Sequence, residues 1–190
     1  MKSFNIKFKH ALSEHQKALE SVVQQSDLTN AVCAEIVNTI DHGGKVIWLG
    51  NGGSAADAQH MAAELMVRYV KNRAPLASIA LTTDSSILTA HSNDYAFASV
   101  FERQILGLAK AGDIVIAMST SGNSENVVKA VEQAKKMKCV SVALTGKQSS
   151  KLNEIADFCL QVDSLETARI QEAHSFFNHL LCEGLDQVYA

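Results

Sequence analysis

Val46-Ile47-Trp48-Leu49-Gly50-Asn51-Gly52-Gly53-Ser54 turns a short apolar run directly into a glycine-rich corner. An unbroken apolar run of this length fits a strand buried on both faces, the kind found in parallel sheets. The glycines at 50, 52 and 53 permit positive φ and close backbone approach, and a helical pattern begins immediately after them. Strand, glycine turn and helix is the expected local plan, with N–H groups at the helix start turned toward any ligand.

The pattern extends in both directions. Upstream, residues 7–25 read as one helix, and Ser26 or Asp27 opens a second in which Val32, Ile36 and Ile40 recur every four positions until Gly43-Gly44. Downstream, four further apolar runs follow: Ser78-Ile79-Ala80-Leu81, Ile114-Val115-Ile116-Ala117-Met118, Val140-Ser141-Val142-Ala143-Leu144 and Phe158-Cys159-Leu160-Gln161-Val162. Helical patterns separate them at 55–70, 85–93, 98–110, 125–137 and 150–156, and a terminal helix spans 166–189. This alternation specifies an α/β fold: a doubly wound five-stranded parallel sheet, expected order 2-1-3-4-5, with N-terminal helices. Residues 1–190 read as one domain.

Ligands of such a sheet bind beyond the carboxyl ends of the strands, where strand order reverses, here between the first and third strands. The third strand runs into Ser119-Thr120-Ser121-Gly122-Asn123-Ser124, another corner that opens a helix. It offers four hydroxyls and several N–H groups without a basic side chain, a cradle for a phosphate monoester held by neutral donors and a helix dipole. Helix capping alone needs fewer hydroxyls. The first corner also spells G-x-G-x-x-A, but an acidic residue about twenty positions on is missing, since Asp84 lies beyond that spacing. A Walker loop is excluded because no lysine follows Gly53.

Composition narrows the class. The chain is 47% hydrophobic and 19% charged with a single proline, which fits a globular protein without long disordered tails. A net charge of -3 provides no basic field for nucleic acid, so no nucleic-acid partner is expected. The first ten residues carry charged or polar groups throughout and no apolar core, so neither export nor a membrane partner is expected and the cytoplasm is the assigned compartment. Cys33, Cys139, Cys159 and Cys182 are scattered without CxxC spacing and read as reduced structural thiols.

Taken together, Gly50-Asn51-Gly52-Gly53-Ser54, Asp57, His60, Glu64, Arg68-Tyr69, Asn93-Asp94, the 119–124 corner, Leu144-Thr145-Gly146-Lys147 and Arg169-Ile170-Gln171-Glu172 resemble the sugar-isomerase (SIS) family, in its phosphoheptose isomerase branch. The likeness covers nearly the whole chain. It implies the flavodoxin-like SIS fold and conversion of sedoheptulose 7-phosphate to D-glycero-D-manno-heptose 7-phosphate, the first step toward ADP-heptose and surface glycans such as lipopolysaccharide.

Moving a carbonyl between adjacent carbons through an enediol requires a base for a carbon-bound proton and an acid for the oxygen. By resemblance Glu64 is that base and His179 its acid partner. The same resemblance gives substrate contacts at Asn51, Gly52, Gly53, Ser54, Glu64, Arg68, Asn93, Asp94, Ser119, Thr120, Ser121, Ser124 and Gln171, and one zinc ion held by His60, Glu64, Gln171 and His179. Asp57 and Ser54 are expected to orient the sugar or to cap the helix. His60 and Glu64 share a helix face at i, i+4, whereas Gln171 and His179, eight residues apart, are separated by roughly 12 Å along a straight helix and about 80° around it. That separation, with the family's homotetramers, points to active sites shared between subunits, with residues 1–42 as a packing surface. His91 and His174 receive no role; His174 lies mostly on a different helix face from His179.

Two rivals keep the fold and change the function. One is a scaffold that binds the bacterial replication initiator; the other is a sugar-phosphate sensor. The scaffold needs no carboxylate and imidazole aimed at a sugar loop, and both Glu64 and His179 are present; no attached DNA-binding or second regulatory domain is read that would support the sensor.

Overall fold

The computed structural model describes residues 6–190; residues 1–5, and with them the start of the 1–42 segment, lie outside the described residues. Helices α1 (Phe8–Val23) and α2 (Ser26–Asp41) precede β1 (Val46–Gly50), α3 (Gly53–Met66), β2 (Ser78–Ala80) and α4 (Ser85–Asp94). A 3₁₀ turn at Phe97–Ser99 leads into α5 (Val100–Leu108), followed by β3 (Ile114–Met118), α6 (Glu125–Lys136), β4 (Val140–Thr145), α7 (Lys151–Ile155), β5 (Phe158–Gln161) and α8 (Thr167–Tyr189). All strands pair in parallel in the order β2-β1-β3-β4-β5. The switch in strand order falls between β1 and β3, as expected, and brings the 50–54 and 119–124 corners to the same end of the sheet.

The apolar runs are unbroken because each strand feeds two cores. Val46, Trp48, Ile114, Ile116, Met118, Val142 and Leu144 face the layer of α1, α2, α3 and α8, packing on residues such as Ile36, Met61 and Phe177. The alternate residues Ile47, Leu49, Val115, Ala117 and Ala143 face the opposite layer, against Phe101, Ile105, Val127 and Val131. Each fully buried aliphatic side chain contributes about 1.5–3 kcal/mol. β2 is the short exception: it lies at the sheet edge, and its central Ile79 is exposed.

Helix α3 ends at Met66, not at residue 70, so Arg68 and Tyr69 lie beyond it. The cause is a tertiary cap. Arg73, with its side chain only 1% exposed, donates from Nη2 to the Glu64 carbonyl at 2.8 Å and from Nη1 to the Leu65 carbonyl at 2.8 Å. Its Nε pairs with Asp186 of α8 at 3.2 Å, and Asp186 also accepts the Val70 and Lys71 backbone N–H groups. Burial pushes the Asp186 carboxyl up, but these hydrogen bonds and the guanidinium outweigh it and hold the group below the usual carboxylate range. The C-terminal carbonyls of α3 are thus satisfied by a buried guanidinium.

Candidate active site

The two corners are clamped to one another by side chains. Gly52 takes φ +58° at the start of α3, a conformation suited to glycine. Asn51 and Asn126, the latter at the start of α6, exchange two amide hydrogen bonds of 2.9 Å each, so the Asn51 side chain serves as a clamp between corners. In the second corner Ser124 stands at the N-cap of α6 without capping it; its hydroxyl meets Ser119 Oγ at 2.9 Å instead. Ser119 Oγ lies 3.4 Å from Ser121 Oγ, and Ser121 Oγ accepts the Asn123 N–H at 3.2 Å. The hydroxyls are therefore gathered into a cluster rather than spent on the helix. Thr120 and Ser121 line a cleft of about 210 Å³ that also meets Lys147 and Ile170. Lys147 is the basic neighbour that the corner itself lacks, and it is paired with Asp163 at 2.6 Å.

Helices α3 and α8 run parallel beside the first corner, and their side chains meet at successive rungs. Gln171 packs its amide over Gly53, where a Cβ would lie 2.7 Å from Nε2. One turn along, the Ser175 hydroxyl donates to the Asp57 carboxylate, with separations of 2.9 and 3.0 Å to its two oxygens. A turn further, the His179 ring meets His60 edge-on, with centroids 5.2 Å apart. His60 Nε2–H donates to Glu64 Oε1 at 3.1 Å, and Tyr69 stacks on His179 with ring centroids 5.7 Å apart. Burial raises the Asp57 carboxyl above its usual range, opposed by the Ser175 hydrogen bond and by the His60 and His179 imidazoles. The seam thus runs from the glycine corner to a cluster containing a carboxylate and two imidazoles, groups able to take up and give back a proton.

The family model described as the SIS domain matches residues 8–146. A phosphoheptose isomerase of Campylobacter concisus is 49% identical over 181 residues, covering 95% of this chain and 96% of that protein. The chain belongs to the SIS-domain phosphoheptose isomerases. Among solved structures, phosphoheptose isomerase GmhA from Neisseria gonorrhoeae superposes with a TM-score of 0.87 at 38% identity, over 94% of this chain and 96% of that one. The phosphoheptose isomerase from Francisella tularensis gives 0.87 at 32% identity, over 96% and 100%.

Within this SIS-domain chain the expected site residues divide into groups. Glu64, His60 and His179 come together, and Gln171 stands two turns away against Gly53, as the helix arithmetic required. Ser119, Thr120, Ser121 and Ser124 share one corner. Ser54 is buried inside the first turn of α3 and caps nothing, because Gly52 occupies the cap position. Asn93 and Asp94 lie in the last turn of α4 rather than in a turn after it, and their side chains bond one another at 2.8 Å. Arg68 is exposed and donates to the Val70 carbonyl. Four residues at the site had no role in the sequence reading: Asn126, Ser175, Tyr69 and Arg73. The Arg-Tyr pair at 68–69 was the available signal for Tyr69; the others act through contacts that no spacing rule reveals.

The metal donors fit zinc in kind, two imidazoles and a carboxylate side by side with an amide farther along the seam. His60 and Glu64 spend their facing atoms on each other, and among the described residues no three His, Cys, Asp or Glu side chains converge as a coordination set.

Proposed function

We propose that this chain isomerises sedoheptulose 7-phosphate to D-glycero-D-manno-heptose 7-phosphate, an aldose–ketose isomerisation through an enediol. The observation that carries the reading is the seam that ends in Glu64 and His179 and begins at the glycine corner clamped to the serine cradle. The 119–124 corner holds the phosphate with hydroxyls and N–H groups, and Gln171 steadies the sugar over Gly53. Glu64 removes a proton from C1 of the ketose while His179 protonates the C2 oxygen, giving the enediol. Return of a proton to C2 with loss of the O1 proton completes the aldose. Tyr69 and His60 both pack against the His179 ring and limit its rotation.

One zinc ion held by His60, Glu64, Gln171 and His179 converging from two subunits belongs to this proposal; when bound it would polarise the carbonyl as a Lewis acid. The working form is a homotetramer whose sites are completed between subunits. Support comes from exposed apolar residues on the first N-terminal helix, Phe8, Leu12 and Val23, which stay exposed although α1 packs on α8. The enzyme works in the cytoplasm, in keeping with four free thiols, and supplies heptose for surface glycans. Among the described residues no helix is long and apolar enough to cross a membrane.

Incubation with sedoheptulose 7-phosphate, with and without zinc, should yield the aldose. Glu64→Gln and His179→Ala should each abolish turnover while the oligomer persists in size-exclusion chromatography. Near-normal rates in both variants would sink the catalytic assignment.

A further inference from the structure

His174 is fully buried on α8, mostly on a different face from His179, and has no part in the proton transfer. Its Nε2 lies 3.2 Å from the Thr145 carbonyl at the end of β4. A carbonyl only accepts, so Nε2 carries the ring proton and Nδ1 is bare, without a partner among the described residues. An apolar side chain in that space would avoid this unsatisfied lone pair, so the imidazole needs a reason to be there.

The reason lies in what Thr145 supports. On either side of it, the strand end carries the second corner by two hydrogen bonds: Ser119 N–H donates to the Leu144 carbonyl at 3.0 Å, and Gly146 N–H donates to the Thr120 carbonyl at 3.1 Å. Gly146 is packed so closely that a Cβ would sit 2.7 Å from the Thr120 oxygen and 2.6 Å from Ile170 Cδ1 of α8. One turn beyond His174, the buried Asn178 amide reaches Met118 Sδ at 3.6 Å, and Met118 is the residue before Ser119. His174 and Asn178 of α8 therefore address the two strand ends from which the hydroxyl corner hangs.

We propose that His174 is a positioning residue for the substrate phosphate: its Nε2–H fixes the Thr145 carbonyl and so sets the 119–124 corner relative to the helix that carries Gln171 and His179. This rests on the sugar-phosphate reading above. The burial that pushes the His174 imidazole down to about 4 keeps the ring neutral and its single proton on the carbonyl side throughout the neutral range.

The test compares His174→Leu with His174→Gln, whose amide can still donate to the carbonyl, in the assembled enzyme. Calorimetric titration with inorganic phosphate is read beside kcat and KM for sedoheptulose 7-phosphate. His174→Leu should weaken phosphate binding and raise KM by about tenfold, the scale of one lost hydrogen bond, with kcat within about twofold. His174→Gln should restore both. A folded His174→Leu enzyme with wild-type KM and phosphate affinity overturns the proposal, as does a fall in kcat at unchanged KM. If His174→Leu does not fold, His174→Asn, one methylene too short to reach, replaces it; equal phosphate affinity in the Asn and Gln variants overturns the proposal. Wild-type protein that binds no phosphate overturns the sugar-phosphate reading itself, and the proposal with it.

Discussion

The buried His174 ring also makes stability depend on pH in a way that one substitution isolates. Burial opposes its charged form and pushes the group down to about 4, outweighing the Thr145 hydrogen bond, whereas an unfolded chain titrates near the ordinary value of about 6.5. The unfolded state therefore binds the proton first as pH falls. Stabilisation by the neutral ring is complete above about pH 6.5 and is lost progressively down to about pH 4. At about 1.4 kcal/mol per pKa unit the full loss is about 3 kcal/mol, and about 2 kcal/mol of it is already gone at pH 5. His174→Gln keeps a donor for Thr145 and has nothing to titrate. Urea unfolding of both proteins, at one protein concentration so that assembly does not confound the comparison, should show the wild type losing about 2 kcal/mol more than the variant between pH 7.5 and 5. Equal losses would refute the assignment of a neutral, buried imidazole.

Three further outcomes follow from the geometry. Arg73→Ala strands the buried Asp186 carboxylate and uncaps α3, and should cost about 3–5 kcal/mol in urea unfolding and lower kcat, because the Glu64 carbonyl loses its anchor. Gly53→Ala places a methyl 2.7 Å from the Gln171 amide nitrogen, a flexible group; turnover should fall while Tm stays near that of the wild type. Gly122→Ala forces φ +65° on a residue with a Cβ, directed at Ser150, and should cost at least about 1 kcal/mol and raise KM for the sugar phosphate.

The sheet was legible because burial on both faces writes unbroken apolar runs, and all five runs became strands in the expected order. The edge position shortened β2 by one residue, and the helix expected from residue 98 begins as a 3₁₀ turn at Phe97. The end of α3 was misplaced because its cap comes from Arg73, whose value depends on Asp186 more than a hundred positions away. At the site, hydroxyl and glycine corners announce themselves by composition, whereas Glu64, His60 and His179 were named by the resemblance, helical spacing adding only that Glu64 and His60 share a face. The pairing of Asn51 with Asn126 and of Asp57 with Ser175 depends on which elements become neighbours, and nothing local encodes it. Ser54 shows the converse error: a residue type favoured at helix caps lies two positions past the cap and is buried.

The parallel seam between α3 and α8 has one more consequence. Gln171, Ser175 and His179 meet Gly53, Asp57 and His60 in order, so the chemistry is indexed by the alignment of two rods. A slide of one turn, about 5.4 Å, would bring Ser175 to the glycine and His179 to the aspartate, leaving every side chain intact and the catalyst out of phase. The distance from the glycine corner to the His60–His179 pair is thus measured out in helical turns, and the protein keeps it as a vernier keeps its zero.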